Sequence, residues 1–222
     1  MSIEWRSLLA PPHPTFRSRR SKEQLKLFVD EVFASMPQPK VVNLGSAWIR
    51  LHPEIINLDL FAEDEVDLQG DLLALPFSDD SLDAVICNGV LEHVKKPEKA
   101  VNEIRRVLKN GAVAYVELPW MQGVHASPDD YQRWTPEGIQ LLFYGLNIEG
   151  LVVACGPASA LAWMFQEVMA MLFSFGNTTL YKVGLRLFGW LAIPLSWFDI
   201  LLERHPQAWR TASGYLLRLR KE

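Results

Sequence analysis

Apolar positions along the chain follow two repeats, and their alternation predicts the elements. Between residues 21 and 36, Leu25, Phe28, Val29, Val32, Phe33 and Met36 recur every three or four positions and form one helix face. Ser21 is the expected cap, with Gln24 in the capping-box position, and Pro37 and Pro39 stop the helix. Short apolar runs of strand length follow at residues 40–44, 55–60, 66–69, 82–87 and 112–118. The almost wholly apolar character of the first favours a parallel sheet covered on both faces. Pro97 opens a helix that turns Ala100, Ile104, Val107 and Leu108 inward and ends at Asn110-Gly111. Thr135-Pro136 opens another, with Ile139, Leu142 and Phe143 facing the core and Gly145 ending it. Between the first and second runs Pro53 leaves space for only one or two turns, so a stunted crossover helix is expected there. Strands alternating with helices predict an α/β fold with right-handed crossovers.

Two last strands, residues 147–154 and 214–220, are expected to lie antiparallel to each other, completing a mostly parallel seven-stranded sheet. An apolar segment separates them. Within residues 156–213, helices are expected at 161–175 and 180–202, broken at Gly176-Asn177, with Pro194 bending the second. Gln166, Glu167, Lys182, Arg186 and Asp199 interrupt the apolar runs, so no stretch is expected to supply the ~20 uncharged residues of a bilayer span. The segment reads as a lid over an acceptor site, as a homodimer face, or as a peripheral membrane contact favoured by Trp163, Trp190 and Trp197. The expected organisation is an irregular arm (1–20), a core (21–155), the apolar helical insertion (156–213) and a final core strand (214–222).

A net charge of -4 and a pI near 5.8 offer no footprint for nucleic acid. Two cysteines, Cys87 and Cys155, without a C-x-x-C pair fit a reducing compartment and a mechanism that does not use thiols. The first twenty residues carry prolines and arginines and no apolar h-region, so a cytoplasmic protein is expected, with contact at the inner membrane face through 156–213 as the extension. Arg17, Arg19 and Arg20 read as a solvated face.

The chemistry is expected at the strand ends. Residues 41–48 form an apolar strand and a Gly45-containing turn, in which Ala47 and Arg50 stand where a dinucleotide fingerprint would have further glycines. Such a turn presents backbone N–H groups to a small polar ligand. Asp59 ends the second strand, where a carboxylate accepts from a ribose diol or simply forms a turn.

Three further stretches resemble a known family: residues 70–77 (GDLLALPF), Val90-Leu91-Glu92-His93-Val94, and 105–111 (RRVLKNG). Over residues 41–144 they look like the core of class I S-adenosylmethionine-dependent methyltransferases of the small-molecule type. Residues 125–138 (HASPDDYQRWTPEG) resemble a bacterial subgroup associated with glycans and polysaccharides. The resemblance implies a Rossmann-like methyltransferase fold with S-adenosyl-L-methionine as cofactor. It implies that Gly45, with Asn43 and Ser46, faces the methionine part, that Asp59 and Leu60 meet the ribose, that Asp71 and Leu72 meet the adenine, and that Asn88 lines the methionine side. Asn43 stands where the family usually has an acid.

Methyl transfer from a sulfonium needs alignment, plus a base when the acceptor is a hydroxyl. His125, after the fifth strand, is the better-placed base or acceptor ligand; His93 is the other candidate, with a structural role in its turn as the alternative. Asp130, Tyr131 and Arg133 are candidate acceptor contacts, with an Asp130–Arg133 brace as the competing reading. Spacing supports no metal site. The expected activity is O-methylation of a sugar or other small-molecule or glycan acceptor. The alternative is a non-catalytic cofactor-binding or scaffold protein. A nicotinamide oxidoreductase would want more glycines in the turn.

Overall fold

The computed structural model describes residues 18–61 and 64–222. Most of the expected N-terminal arm therefore lies outside the described residues. Helix α1 (Arg19–Ser35) already includes Arg19 and Arg20. Its cap is Ser18, not Ser21: the Ser18 hydroxyl accepts from Ser21 N at 3.1 Å and donates to Ala154 O at 2.5 Å. Phe28, Val29 and Val32 of the expected stripe are buried, whereas Met36 lies past the helix end and is exposed.

The strands are β1 (Val41–Leu44), β2 (Ile56–Asp59), β3 (Leu68–Gln69), β4 (Leu82–Asn88), β5 (Leu108–Pro119), β6 (Asn147–Cys155) and β7 (Gly214–Arg220). They form one sheet in the order β3-β2-β1-β4-β5-β7-β6. β1 pairs in parallel with β2 and β4, β2 with β3, and β4 with β5, so these five strands end on the same edge. β7 runs the other way: Lys221 N donates to Ala112 O and Trp120 N to Ser213 O, the partner numbers falling as those of β5 rise. Leu44, Leu58, Val85, Ile86, Ala114 and Val116 are fully buried along the central strands. Each such large side chain contributes about 1.5–3 kcal/mol by leaving water.

Helix α2 (Pro97–Val107) stops earlier than expected, because Leu108 is already extended and opens β5; Asn110-Gly111 falls inside that strand. Helix α3 (Pro136–Leu142) is capped as expected by Thr135, whose side chain accepts from Gly138 N. The crossover between β1 and β2 contains no helix at all. Arg50 organises it instead, donating to Glu65 Oε2 (2.8 Å), Asp67 Oδ1 (2.9 Å) and Ile55 O (3.2 Å), while Asn57 Nδ2 reaches Ile49 O and Glu65 O. With Pro53 blocking helical hydrogen bonds, a guanidinium holding several acceptors supplies the fixed geometry.

The chain divides into two compact units, one of residues 23–119, 124–152 and 215–222, the other of 120–123, 153–214 and the described residues up to 22. The second contains α4 (Pro157–Ser174), α5 (Thr178–Trp197) and α6 (Asp199–Leu202). α4 and α5 cross closely where Gly184 meets Ala170; a Cβ on Gly184 would lie 3.1 Å from Ala170 Cα. Asp199 is buried and caps α4, accepting from Ala158 N (2.8 Å), Ser159 N (2.9 Å) and Ser159 Oγ (2.6 Å). Arg20, expected in a solvated face, donates to Glu203 O at 2.9 Å. The helical run 178–202 carries Lys182, Arg186 and Asp199, so it holds no stretch of ~20 uncharged residues, as expected. An 18-residue stretch within these 25 residues has a mean hydropathy of 1.5, so the run is nonetheless long and apolar enough to cross a membrane by length and composition.

Candidate functional site

The sheet edge formed by the C-terminal ends of β1, β2, β3 and β4 collects the residues expected to hold a cofactor. Gly45 follows β1 with φ +64°, and a Cβ there would lie 2.5 Å from Val90 Cγ2. Only glycine tolerates both the left-handed backbone and that approach. The turn does not offer its N–H groups to a ligand, contrary to the sequence expectation. Gly45 N and Ser46 N both donate to Leu58 O, and Ala47 N donates to Asp59 Oδ2 at 2.9 Å. Its remaining polar group is Ser46 Oγ, which is buried and makes no hydrogen bond among the described residues.

Asp59 is half-buried and also accepts from Phe61 N at 3.0 Å through Oδ1. Each carboxylate oxygen has a second lone-pair direction, so the group holds the turn and can still accept from a diol. Asp71 is exposed, accepts from Leu73 N at 2.9 Å and keeps similar capacity. The segment after it is fixed by Arg106, which donates to Leu75 O, Phe77 O and both oxygens of Glu103. Asn88 is exposed at the end of β4, Leu60 is exposed and Leu72 is buried. Asn43 leaves the set, since it is buried and donates to Asn57 Oδ1 at 3.3 Å across the β1–β2 pair. The remaining accessible set, two acceptor carboxylates on a single strand-end edge, can accept from a diol and an amino group.

Beside this edge the loops after β4 and β5 meet. Leu91–His93 forms a 3-10 turn that buries Glu92. His93 Nε2 lies 3.8 Å and His125 Nε2 3.6 Å from Glu92 Oε1, and the two imidazoles stand edge to face, 5.3 Å between centroids. The loop after β5 is sewn onto the turn: Tyr131 N donates to Glu92 O (2.8 Å), Gln132 Nε2 to Val94 O (3.1 Å), and His93 Nδ1 lies 2.5 Å from Asp129 O. Glu92, His93 and His125 are thus brought together as a group of potential metal ligands, which their spacing along the chain does not show. Spacing alone does not mark Glu92 as a site residue, because a Glu in a short turn normally points to water. Its place between two histidines 32 positions apart depends on the return of β5.

Of the proposed acceptor contacts, Asp130 and Arg133 are bound to each other. Arg133 Nη1 and Nη2 donate to Asp130 Oδ1 (2.5 Å) and Oδ2 (2.7 Å), and His125 N donates to Asp130 Oδ2 at 2.8 Å. The guanidinium holds the Asp130 carboxyl at a pKa of about 2, against the opposing effect of burial. This pair is a brace that sets the His125 loop. Tyr131 is exposed, donates to Asp129 Oδ2 at 2.5 Å, and its pKa is raised chiefly by that carboxylate. Cys87 and Cys155 are buried and free, and burial pushes the Cys87 thiol up, with the charge of Glu92 adding to the shift.

Comparison with known proteins bears on the fold. Residues 39–116 match the family of methyltransferase domains. A 67-residue stretch is 40% identical to the 2-phytyl-1,4-naphtoquinone methyltransferase of Synechocystis, covering 30% of this chain and 28% of that protein. The chain spans about a quarter of the length of the curated relatives it matches. Among solved structures, the 4+2 cyclase SpnF superimposes with a TM-score of 0.53 at 16% identity, over 89% of this chain and 80% of that one. An S-adenosylmethionine-dependent methyltransferase from Mesorhizobium loti does so with a TM-score of 0.50 at 13% identity, over 86% and 96%. The fold is the Rossmann-like fold of class I methyltransferases, with a helical insertion before the antiparallel last strand.

Proposed function

We propose that this protein is an S-adenosylmethionine-dependent methyltransferase that acts on a hydroxyl of a sugar or other small-molecule acceptor. The observation that carries the reading is the shared edge: Asp59 and Asp71 end the cofactor side, and the histidine-bearing loops after β4 and β5 adjoin it. Asp59 and Asp71 would accept from the ribose hydroxyls and the adenine amino group. When bound, this cofactor supplies a methyl group on a sulfonium that leaves with its bonding pair passing to sulfur. The chain's task is then to align the acceptor oxygen and take its proton. His125 is the candidate acceptor for that proton through Nδ1, which now accepts from Arg133 Nη2 at 3.2 Å and would have to exchange that contact for the substrate hydroxyl, with the Glu92 carboxylate 3.6 Å from Nε2 to stabilise the imidazolium that results. The Asp130–Arg133 brace keeps the ring at that position.

Calorimetric titration with S-adenosylmethionine and S-adenosylhomocysteine tests the reading. Saturable binding by either is expected, and no binding by a folded protein at high ligand concentration would leave the non-catalytic scaffold reading instead. His125→Ala should keep cofactor binding and lose turnover by on the order of 10²-fold or more; equal loss of both would assign the loop to cofactor binding.

The acceptor reading extends to a membrane surface. α4 exposes Leu161, Val168, Met171 and Leu172, and α5 exposes Leu187, Trp190, Leu191 and Trp197, each set at helical spacing along one side. Such apolar stripes with tryptophans suit insertion at a bilayer interface and a lipid-linked acceptor. Flotation with liposomes should carry the protein upward. Replacing Leu187, Trp190 and Leu191 with serine should abolish it, and unchanged flotation would remove the hairpin from the argument.

A further inference from the structure

We propose that Glu92, His93 and His125 form a binding site for one divalent transition-metal cation. Three ligand atoms, one from each residue, lie within 4.8 Å of one another. The carboxylate-to-imidazole separations of 3.6 and 3.8 Å are slightly wider than the about 3.4 Å between ligands around a tetrahedral zinc, so a small inward movement of the half-buried rings closes the shell. The His93 ring is held by Asp129 O, so the adjustment falls on His125, 30% exposed, whose Nδ1 would carry the proton on coordination and turn away from Arg133 Nη2, now 3.2 Å away.

Two independent observations point to a ligand. The Glu92 side chain is only 2% exposed, and its Oε2 makes no hydrogen bond among the described residues. The imidazoles face its other oxygen, Oε1; a buried carboxylate with one oxygen unmatched is costly, and a cation held by that carboxylate offsets its buried charge. The second observation is the 2.5 Å contact of His93 Nδ1 with Asp129 O, which fixes the proton on Nδ1 and leaves the Nε2 lone pair facing Glu92. This is the orientation by which outer partners prepare a metal-ligating histidine. Two imidazoles and one carboxylate suit zinc, cobalt or iron(II) better than magnesium or calcium, which prefer all-oxygen shells.

Three protein ligands leave coordination positions for an acceptor oxygen. There a cation would lower the pKa of a bound hydroxyl, whose proton passes to solvent water, so that the acceptor rather than an imidazole carries the activation. That use rests on the methyl-transfer reading, whereas the binding of the cation does not.

The test uses the full-length, untagged chain stripped with a chelator and titrated with Co²⁺ and with Zn²⁺, without cofactor. One equivalent of Co²⁺ should give a visible d–d absorption that Zn²⁺ displaces. Glu92→Gln and His125→Ala, checked as folded by thermal melting, should each weaken binding by more than about tenfold. His205→Ala should leave it unchanged. No absorption and no heat, or binding that persists unchanged in both site variants, overturns the proposal. Because cofactor titration is run separately, cofactor binding without metal binding sinks only the metal site. Metal binding without cofactor binding sinks only the methyl-transfer reading.

Discussion

Replacing Asp59 with alanine separates the two tasks that its carboxylate performs. In the folded chain it accepts from Ala47 N at 2.9 Å and Phe61 N at 3.0 Å, so it fixes the turn after β1 as well as facing the ligand edge. The half-exposed setting keeps the stability effect small: loss of these bonds should cost about 1 kcal/mol, a melting shift of about 2–4 °C in a chain of this size. The effect on S-adenosylhomocysteine should be larger, because a charge-assisted hydrogen bond to a ribose hydroxyl contributes about 1.5–3 kcal/mol. That corresponds to a dissociation constant roughly 10- to 150-fold weaker. Asp59→Asn keeps one acceptor oxygen and should fall between the two. Calorimetric titration of the folded variants measures the affinities, and a melting curve establishes the fold. If Asp59→Ala melts near wild type and binds the ligand as tightly, the carboxylate belongs to the turn alone and the ribose assignment is refuted.

Gly45→Ala should destabilise by about 2–4 kcal/mol, from left-handed strain and collision with Val90. Gly45→Ala/Val90→Ala should recover the collision share in urea unfolding, and full additivity would show that the contact is unimportant. Asp199→Ala should cost about 2–4 kcal/mol and raise hydrogen exchange within residues 157–202, since three donors at the start of α4 lose their acceptor; unchanged exchange there would contradict the capping role. Asp130 has a folded pKa of about 2 against an ordinary 3.8, so its stabilisation is present above about pH 4 and is lost as pH falls toward 2. On the order of 2 kcal/mol of acid sensitivity should therefore disappear in Asp130→Asn, as measured by urea melts between these pH values; an equal acid slope in both proteins would refute the assignment.

The elements that pack on themselves were legible along the chain. β7 spans the expected residues 214–220, β4 and β5 contain their apolar runs, and β1 matches its run apart from Lys40, because a strand buried on both faces must be apolar at almost every position. Thr135 was legible as a cap and Asp130–Arg133 as a brace, since three residues' separation fixes such pairs locally. Less legible were contacts closed over distance. Ser18 displaces Ser21 as the cap of α1, its hydroxyl also serving Ala154, and Arg50 replaces a helix by holding acceptors 5 to 17 residues away. Asn43 reads as a ligand contact until its pairing with Asn57 across adjacent strands is seen.

Local pattern therefore determined the parallel sheet, the order of its elements and the two acids at its strand ends, all of which follow from side-chain periodicity and backbone allowance. Tertiary structure alone decided how the turn at Gly45 is used, since the Leu58 carbonyl and the Asp59 carboxylate take the N–H groups that the sequence offered to a ligand. It also decided that Glu92 is buried between His93 and His125. No periodicity encodes that meeting: it needs the turn after β4 and the loop after β5 to close on each other, and only the packed sheet brings their ends together.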